Sequence, residues 1–232
     1  MFYVKEHENI LKNEMKKLKD EINLIVFTDV RIMEDGKKVR RCMSCDGTMS
    51  LLDQLEEFSN GKLKVEELSI DKDKDKDIAE KYGVERIPTI LFIDKDDKEV
   101  IRYLGNPLGA ETAPFIQSLV YFSGVRSFYD DAIISNLKNM PRSRLKLFLT
   151  LTCPYCPGVV PIVNLFAILS RGKIKVEIID IDVNNDLAIK YNVQGVPHVM
   201  INEDQHIYGV FTPQDLLEKI TQGKRDFGGM YA

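Results

Sequence analysis

Apolar and polar positions alternate in two rhythms along this chain, and the order of rhythms occurs twice. Apolar residues fall at helical spacing from Glu6 to Lys19 and again from Tyr129 to Asn139. Each segment leads into a short apolar run that reads as a strand, Asn23 to Phe27 and Leu145 to Leu151. Predicted helices then reach about Phe58 and Ser170, followed by strands with period-two patterning at Leu63–Ile70 and Ile174–Ile181. Short helices follow at Ile78–Tyr82 and Leu187–Tyr191. Two closely spaced strands come next in each half: Thr89–Ile93 with Glu99–Tyr103, and His198–Ile201 with His206–Phe211. Closing helices are expected at Glu111–Phe122 and Pro213–Thr221. Strands separated by helices predict parallel pairing, and the final close pair predicts an antiparallel hairpin.

The match between halves extends to individual residues. Gly61-Lys62-Leu63-Lys64-Val65-Glu66 falls on Gly172-Lys173-Ile174-Lys175-Val176-Glu177, and Asp71 falls on Asp182. Tyr82-Gly83-Val84-Glu85-Arg86-Ile87-Pro88 falls on Tyr191-Asn192-Val193-Gln194-Gly195-Val196-Pro197 after a small deletion. A period this long is a domain duplication, not a solenoid repeat. The expected units are 1–123 and 124–232. Residues 30–41 have no counterpart and form an insertion, with Asp35-Gly36 as a tight turn. The glycine-bearing tail from Gln222 to Ala232 is expected to be loosely ordered.

Bulk properties narrow the function classes. The chain has 232 residues and a formal net charge of -4, with no basic stripe, so nucleic acid is not an expected partner. No apolar run has the length of a membrane span, and the N-terminus lacks the pattern of a signal peptide. A cytoplasmic protein is expected. The mixed-sign charge blocks give a weak pointer to a hot environment. Asp71 to Asp77 alternates with lysines like a calcium loop, but Lys76 and Tyr82 stand where glycine and glutamate are needed. It reads as a solvated loop leading into a helix, and no metal or cofactor is expected.

All four cysteines sit in two Cys-x-x-Cys motifs, Cys42-Met43-Ser44-Cys45 and Cys153-Pro154-Tyr155-Cys156. Disulfide exchange needs a thiolate nucleophile and a second thiol that resolves the mixed disulfide. At a helix start, backbone N–H groups and the helix dipole lower a thiol's pKa from about 8.5. Cys42 and Cys153 are therefore expected as nucleophiles, and Cys45 and Cys156 as resolving thiols. A shared zinc site is the competing reading. More than a hundred residues part the two pairs, far beyond the spacing of zinc ribbons, and each pair follows its own strand.

Strand, Cys-x-x-Cys, helix, strand, then a branched residue before proline resembles the thioredoxin fold. The Cys153 motif is of the type found in glutaredoxins, and Pro161 coincides with the helix-kinking proline of thioredoxins. Two units with intact pairs resemble the protein disulfide oxidoreductases of thermophilic archaea and bacteria. The resemblance implies an α/β protein of two tandem thioredoxin folds, each a central mixed β-sheet flanked by helices. It implies reduction, oxidation and isomerisation of protein disulfides, with protein substrates and a thioredoxin reductase as electron donor. Ile87-Pro88 and Val196-Pro197 look like the family's substrate-binding cis-proline loops, so both peptide bonds are expected to be cis. Thioredoxins also carry a buried acid six residues before the first cysteine. Here those positions hold Leu147 and Gly36, which leaves the proton acceptor open, with Glu177 and Asp180 as candidates.

Other residues modulate this picture. Lys38, Arg40 and Arg41 precede Cys42 and are candidates to stabilise its thiolate, whereas Asp46 opposes it. Pro154 and Tyr155 flank an otherwise uncharged environment at Cys153, so the second site is expected to dominate, at about -200 to -230 mV against a lower value for the first. His198 is a candidate proton relay or a plain strand residue. Tyr82 and Tyr191 read as packing residues. The uncharged stretch Gly158 to Ser170 reads as a helix buried in its own unit or packed on another. Two other functions compete. One is an electron-relay module like the N-terminal part of the alkyl hydroperoxide reductase flavoprotein, in which one unit lacks its cysteines and a flavin domain follows. Two intact pairs and a chain end at Ala232 weigh against it. The other is a chaperone-like polypeptide-binding module.

Overall fold

The computed structural model describes residues 2–224, with side chains from Glu8 onward. The expected loose tail lies outside the described residues from position 225.

Eight strands form one mixed sheet. They are β1 (Ile22–Thr28), β4 (Leu63–Ser69), β5 (Thr89–Ile93), β6 (Glu99–Leu104), β7 (Ser143–Leu149), β8 (Ile174–Asp180), β9 (His198–Ile201) and β10 (Gln205–Tyr208), in the order β10-β9-β7-β8-β6-β5-β1-β4. Each half follows the predicted plan. β1 runs parallel to β4 and antiparallel to β5, which pairs with β6; β7 repeats this with β8, β9 and β10. The halves then join edge to edge, β6 against β8 in parallel, from Ile101↔Val176 to Leu104↔Ile179. The sequence pattern carries no sign of this joint, because a strand's apolar alternation reports which face is buried and not which neighbour it pairs with.

Six helices share one face: α1 (Phe2–Met15), α2 (Met43–Phe58), α4 (Thr112–Phe122), α5 (Asp130–Ser135), α6 (Val160–Leu169) and α8 (Pro213–Thr221). Their apolar sides meet in one continuous core running through both halves, including Leu52, Phe115, Val163, Phe166 and Leu217. On the other face, α3 (Asp73–Tyr82) covers Phe27 and Leu91, and α7 (Asn185–Lys190) covers Phe148 and Ile179. The uncharged α6 packs on α4 of the first half, and its buried Asn164 donates to Tyr103 Oη and Ser118 Oγ, both at 2.8 Å. Its second apolar side thus serves the joint between halves.

Several expected boundaries are corrected. The first helix ends at Met15 instead of Lys19, tightening through Lys17 N to Glu14 O and Leu18 N to Met15 O. The segment expected as a solvated loop is helical from Asp73. Asp73 and Asp75 occupy its first turn, where the helix dipole favours carboxylates, and Asp75 accepts the Ser69 N–H at 2.9 Å. The helix expected over Tyr129–Asn139 breaks after Ser135 into a 3-10 turn, Leu137–Asn139. There Asn136 Nδ2 donates to the Ala132 carbonyl and competes with the backbone. The second cysteine motif does not open a continuous α-helix. It opens a 3-10 turn, Cys156–Gly158, and α6 starts only at Val160, because Pro157 and Pro161 have no N–H to donate. The insertion forms a two-stranded hairpin, β2 (Arg31–Ile32) with β3 (Lys38–Val39), turning at Gly36 with φ +80°.

Candidate functional site: two dithiol centres

β1 and β7 are parallel, so both cysteine motifs emerge at the same end of the sheet. Three strands lie between β1 and β7, a spacing of about 19 Å at the usual inter-strand distance. Each pair is closed as its own disulfide, Cys42–Cys45 and Cys153–Cys156. A single zinc centre drawing on all four sulfurs is incompatible with this arrangement.

Cys42 is the N-cap of α2, and its Sγ accepts the Cys45 N–H at 3.2 Å. At the second site Cys153 Sγ accepts the Cys156 N–H at 3.1 Å, despite the 3-10 geometry. Both sulfurs therefore face backbone donors that favour a thiolate. Cys45 and Cys156 are fully buried, Cys153 is nearly so and Cys42 is half-buried.

The loops opposite also match expectation. The Ile87–Pro88 and Val196–Pro197 peptide bonds are both cis. Gly105 N donates to the Pro88 carbonyl and Gly209 N to the Pro197 carbonyl, so the two loops are held alike. The Val196 carbonyl oxygen lies 3.8 Å from Cys153 Sγ. Tyr155 and Pro154 are exposed beside it.

Charges near the first site are already paired. Arg40 Nε donates to Glu67 Oε1 at 2.6 Å and its Nη1 to Asp46 Oδ1 at 3.0 Å. Burial pushes the Glu67 carboxyl up, but Arg40, Thr28 and Lys38 outweigh it and hold it below its ordinary value. The Arg41 guanidinium sits on Asp71 and Asp29. Buried Asp29 accepts the backbone N–H groups of Arg41 and Cys42. The two arginines pin the insertion hairpin to the sheet, and their positive charge is met by carboxylates.

Beside the second site lies a feature only partly anticipated. Asp180 ends β8 on the α6 side. Glu111, from the 3-10 turn Gly109–Glu111 of the first half, faces the same small cavity. That turn packs on the Cys156–Gly158 turn. Both carboxyls are buried; Glu111 has no hydrogen-bond partner on either oxygen and Asp180 none on Oδ2. Burial, then the charge of Asp180, pushes Glu111 up to about 7. Burial pushes Asp180 up to about 6, against the Asp182 N–H that binds Oδ1. Gly105 is required here: its φ is +131°, and a Cβ would lie 2.5 Å from the Asp180 Cβ. Glu177, the other candidate acceptor, points to the opposite face, in register with Arg102 and Lys146. Sequence reasoning missed Glu111 because it carries no motif and its turn meets the Cys156–Gly158 turn only across the two joined halves.

The His198 ring packs on Phe148 and Tyr208, and its Nε2 lies 2.9 Å from His206 Nδ1. Burial, then His206, lowers its pKa. Tyr82 and Tyr191 occupy matching places, packed in the clusters under α3 and α7.

Residues 143–221 match the family model described as a thioredoxin domain. The chain is 28% identical over 139 residues to the AhpF component of alkyl hydroperoxide reductase of Staphylococcus aureus, covering 60% of this chain and 27% of that protein. It thus spans little more than a quarter of the length of the curated relatives it matches. Among solved structures, a protein disulfide oxidoreductase from Aeropyrum pernix is 25% identical, with a TM-score of 0.75 over 93% of this chain and 91% of that one. The AhpF component of Enterococcus faecalis shares the fold at 22% identity, with a TM-score of 0.75 over 93% and 98%. No helix among the described residues is long and apolar enough to cross a membrane. The second half thus matches a thioredoxin domain, and over 93% of the chain the fold is similar to that of a protein disulfide oxidoreductase.

Proposed function

We propose that the chain exchanges dithiols and disulfides on protein substrates through two separate centres, in units spanning 1–123 and 124–232. The observation that carries this reading is that each cysteine couple is closed within its own half, with the Val196 carbonyl 3.8 Å from Cys153 Sγ at the second centre. In the reductive direction the Cys153 thiolate attacks one sulfur of a substrate disulfide. That S–S bond breaks, a substrate thiolate leaves, and a mixed disulfide forms. Cys156, deprotonated, then attacks Cys153 Sγ and releases the second substrate thiolate, so the centre is oxidised as the substrate gains two electrons. Cys42 and Cys45 act in the same way. The backbone at Ile87-Pro88 and Val196-Pro197 pairs with the extended substrate strand. Pro154 pre-sets the turn, and Tyr155 offers an apolar rim. Glu111 and Asp180, buried beside the Cys156 turn with raised pKa values, take up the proton of the resolving thiol.

Isomerisation, a cytoplasmic setting and a thioredoxin reductase as donor complete the reading. It is tested by insulin reduction with Cys42→Ser, Cys153→Ser and the double variant: activity must survive in at least one single variant and vanish in the double. A second reading, electron relay to a peroxide-reducing partner, is favoured by the match to the AhpF component of alkyl hydroperoxide reductase over 60% of the chain. A relay would reduce an oxidised peroxiredoxin and leave insulin intact.

A further inference from the structure

The sheet face between α3 and α7 is uncovered along β6, β8 and β7. A groove of about 500 Å3 runs over it and continues at the strands' N-terminal ends into a second of about 350 Å3, the two sharing Arg144 and Lys175. The dithiols lie at the other end of the sheet and on the other face.

Charge along this groove is unevenly balanced. In one cross-strand row, Arg102 and Lys146 flank Glu177, and each cation also pairs with a further acid, Glu99 and Glu203. In the next row Arg144 stands directly opposite Lys175, both exposed and neither in an ion pair among the described residues. Like charges directly opposite on a sheet destabilise it. Arg142, one pleat further, lines the same groove. The duplication sharpens the point. In the first half the equivalent register sets Asn23 opposite Lys64, and Lys64 is met by Glu21 at 2.6 Å. The second half has Arg142 in place of Glu21 and Arg144 in place of Asn23, so acid and amide have become cations in a chain of net charge -4.

We propose that this groove is a docking surface for an extended, acidic polypeptide segment of a partner protein. Cations left without counterions on an acidic protein supply charge complementarity, and the groove's open, elongated shape suits a strand of peptide. Its wall offers one aromatic, Tyr82, whose ring is covered by Lys81 and whose hydroxyl bonds Asp97, so no free ring is presented to a nucleotide base. A partner held here leaves both dithiols open to its own reacting segment.

The test is fluorescence anisotropy of a labelled deca-glutamate peptide titrated with the full oxidised chain. Saturable binding is expected at about 20 mM salt and more than about tenfold weaker binding at about 200 mM. Arg144→Gln with Lys175→Gln is expected to weaken it more than about tenfold at low salt, whereas Lys64→Gln leaves it unchanged. The double variant is expected to unfold at the same or higher urea concentration, because a like-charge pair is removed, and to reduce insulin at the wild-type rate. Absence of saturable binding at low salt, equal binding by the double variant, or an equal loss in Lys64→Gln would overturn the proposal. So would Arg144- and Lys175-dependent binding of ADP without binding of the peptide.

Discussion

Replacing Glu111 with Gln removes a charge that the fold disfavours. The Glu111 carboxyl is raised from its ordinary 4.5 to about 7. In the window between those values the folded chain keeps a proton that the unfolded chain releases, so stability falls as pH rises. Below about pH 4.5 both states are protonated and the group contributes nothing. Above about pH 7 the full cost is present, about 3 kcal/mol from the size of the rise. Glutamine keeps the volume and the neutral state at every pH. Its amide donors also meet a cavity in which Asn106 Oδ1 and Asp180 Oδ2 lack partners. Urea unfolding of the oxidised protein should therefore give equal stabilities near pH 4 and a variant about 2–3 kcal/mol more stable near pH 8. In a Cys42→Ser background the same change should slow insulin reduction by about a hundredfold, the scale of a lost proton acceptor. Parallel stability curves for the two proteins, or a variant weaker at pH 8, would refute the reading of Glu111 as a buried, strained acid. An unchanged rate would refute its role at Cys156.

Arg40→Ala leaves Glu67 buried without its main partner, and urea unfolding should show a loss of about 3 kcal/mol; a loss within 0.5 kcal/mol, roughly the scatter of surface changes, would mean Lys38 and Thr28 suffice. Gly105→Ala combines positive φ with a Cβ contact at 2.5 Å and should cost more than about 2 kcal/mol by the same assay. Cys153→Ser should remove most insulin reductase activity and Cys42→Ser should spare much of it. Equal losses would show that the carboxylates around Cys42 do not set the ranking of the sites.

The local plan of each half was legible because its signals are local. Alternating apolar positions gave strands β1, β4, β7 and β8 to within about two residues, and the placement of Cys42 and Cys153 after strands gave both dithiol sites. One misreading arose where a charge pattern has two physical meanings. The lysine–aspartate run from Asp71 is solvated in a loop, yet its acids equally suit the first turn of α3, and the buried Asp75–Ser69 contact decides in favour of the helix. The partner of Arg40 was illegible for another reason: Glu67 is 39 residues from Thr28 in sequence order but adjacent to it across β1 and β4, and it holds Arg40.

The joint between halves was illegible for a different reason, and it carries the chemical consequence. Pairing of β6 with β8 is specified by backbone groups common to every strand, and the side chains that secure it, Tyr103, Ser118 and Asn164, are single polar residues with no spacing rule. A thioredoxin unit conventionally supplies its own acid from the strand before the cysteines. Here that strand offers Leu147, whose side chain lies in the apolar core. The parallel β6–β8 edge sets the end of β6, the turn bearing Glu111 and the end of β8 bearing Asp180 around one cavity, and that turn packs on the Cys156–Gly158 turn. Under the proposed mechanism the second centre draws a proton acceptor from the first half, which would make the joined sheet part of the catalytic apparatus as well as its scaffold.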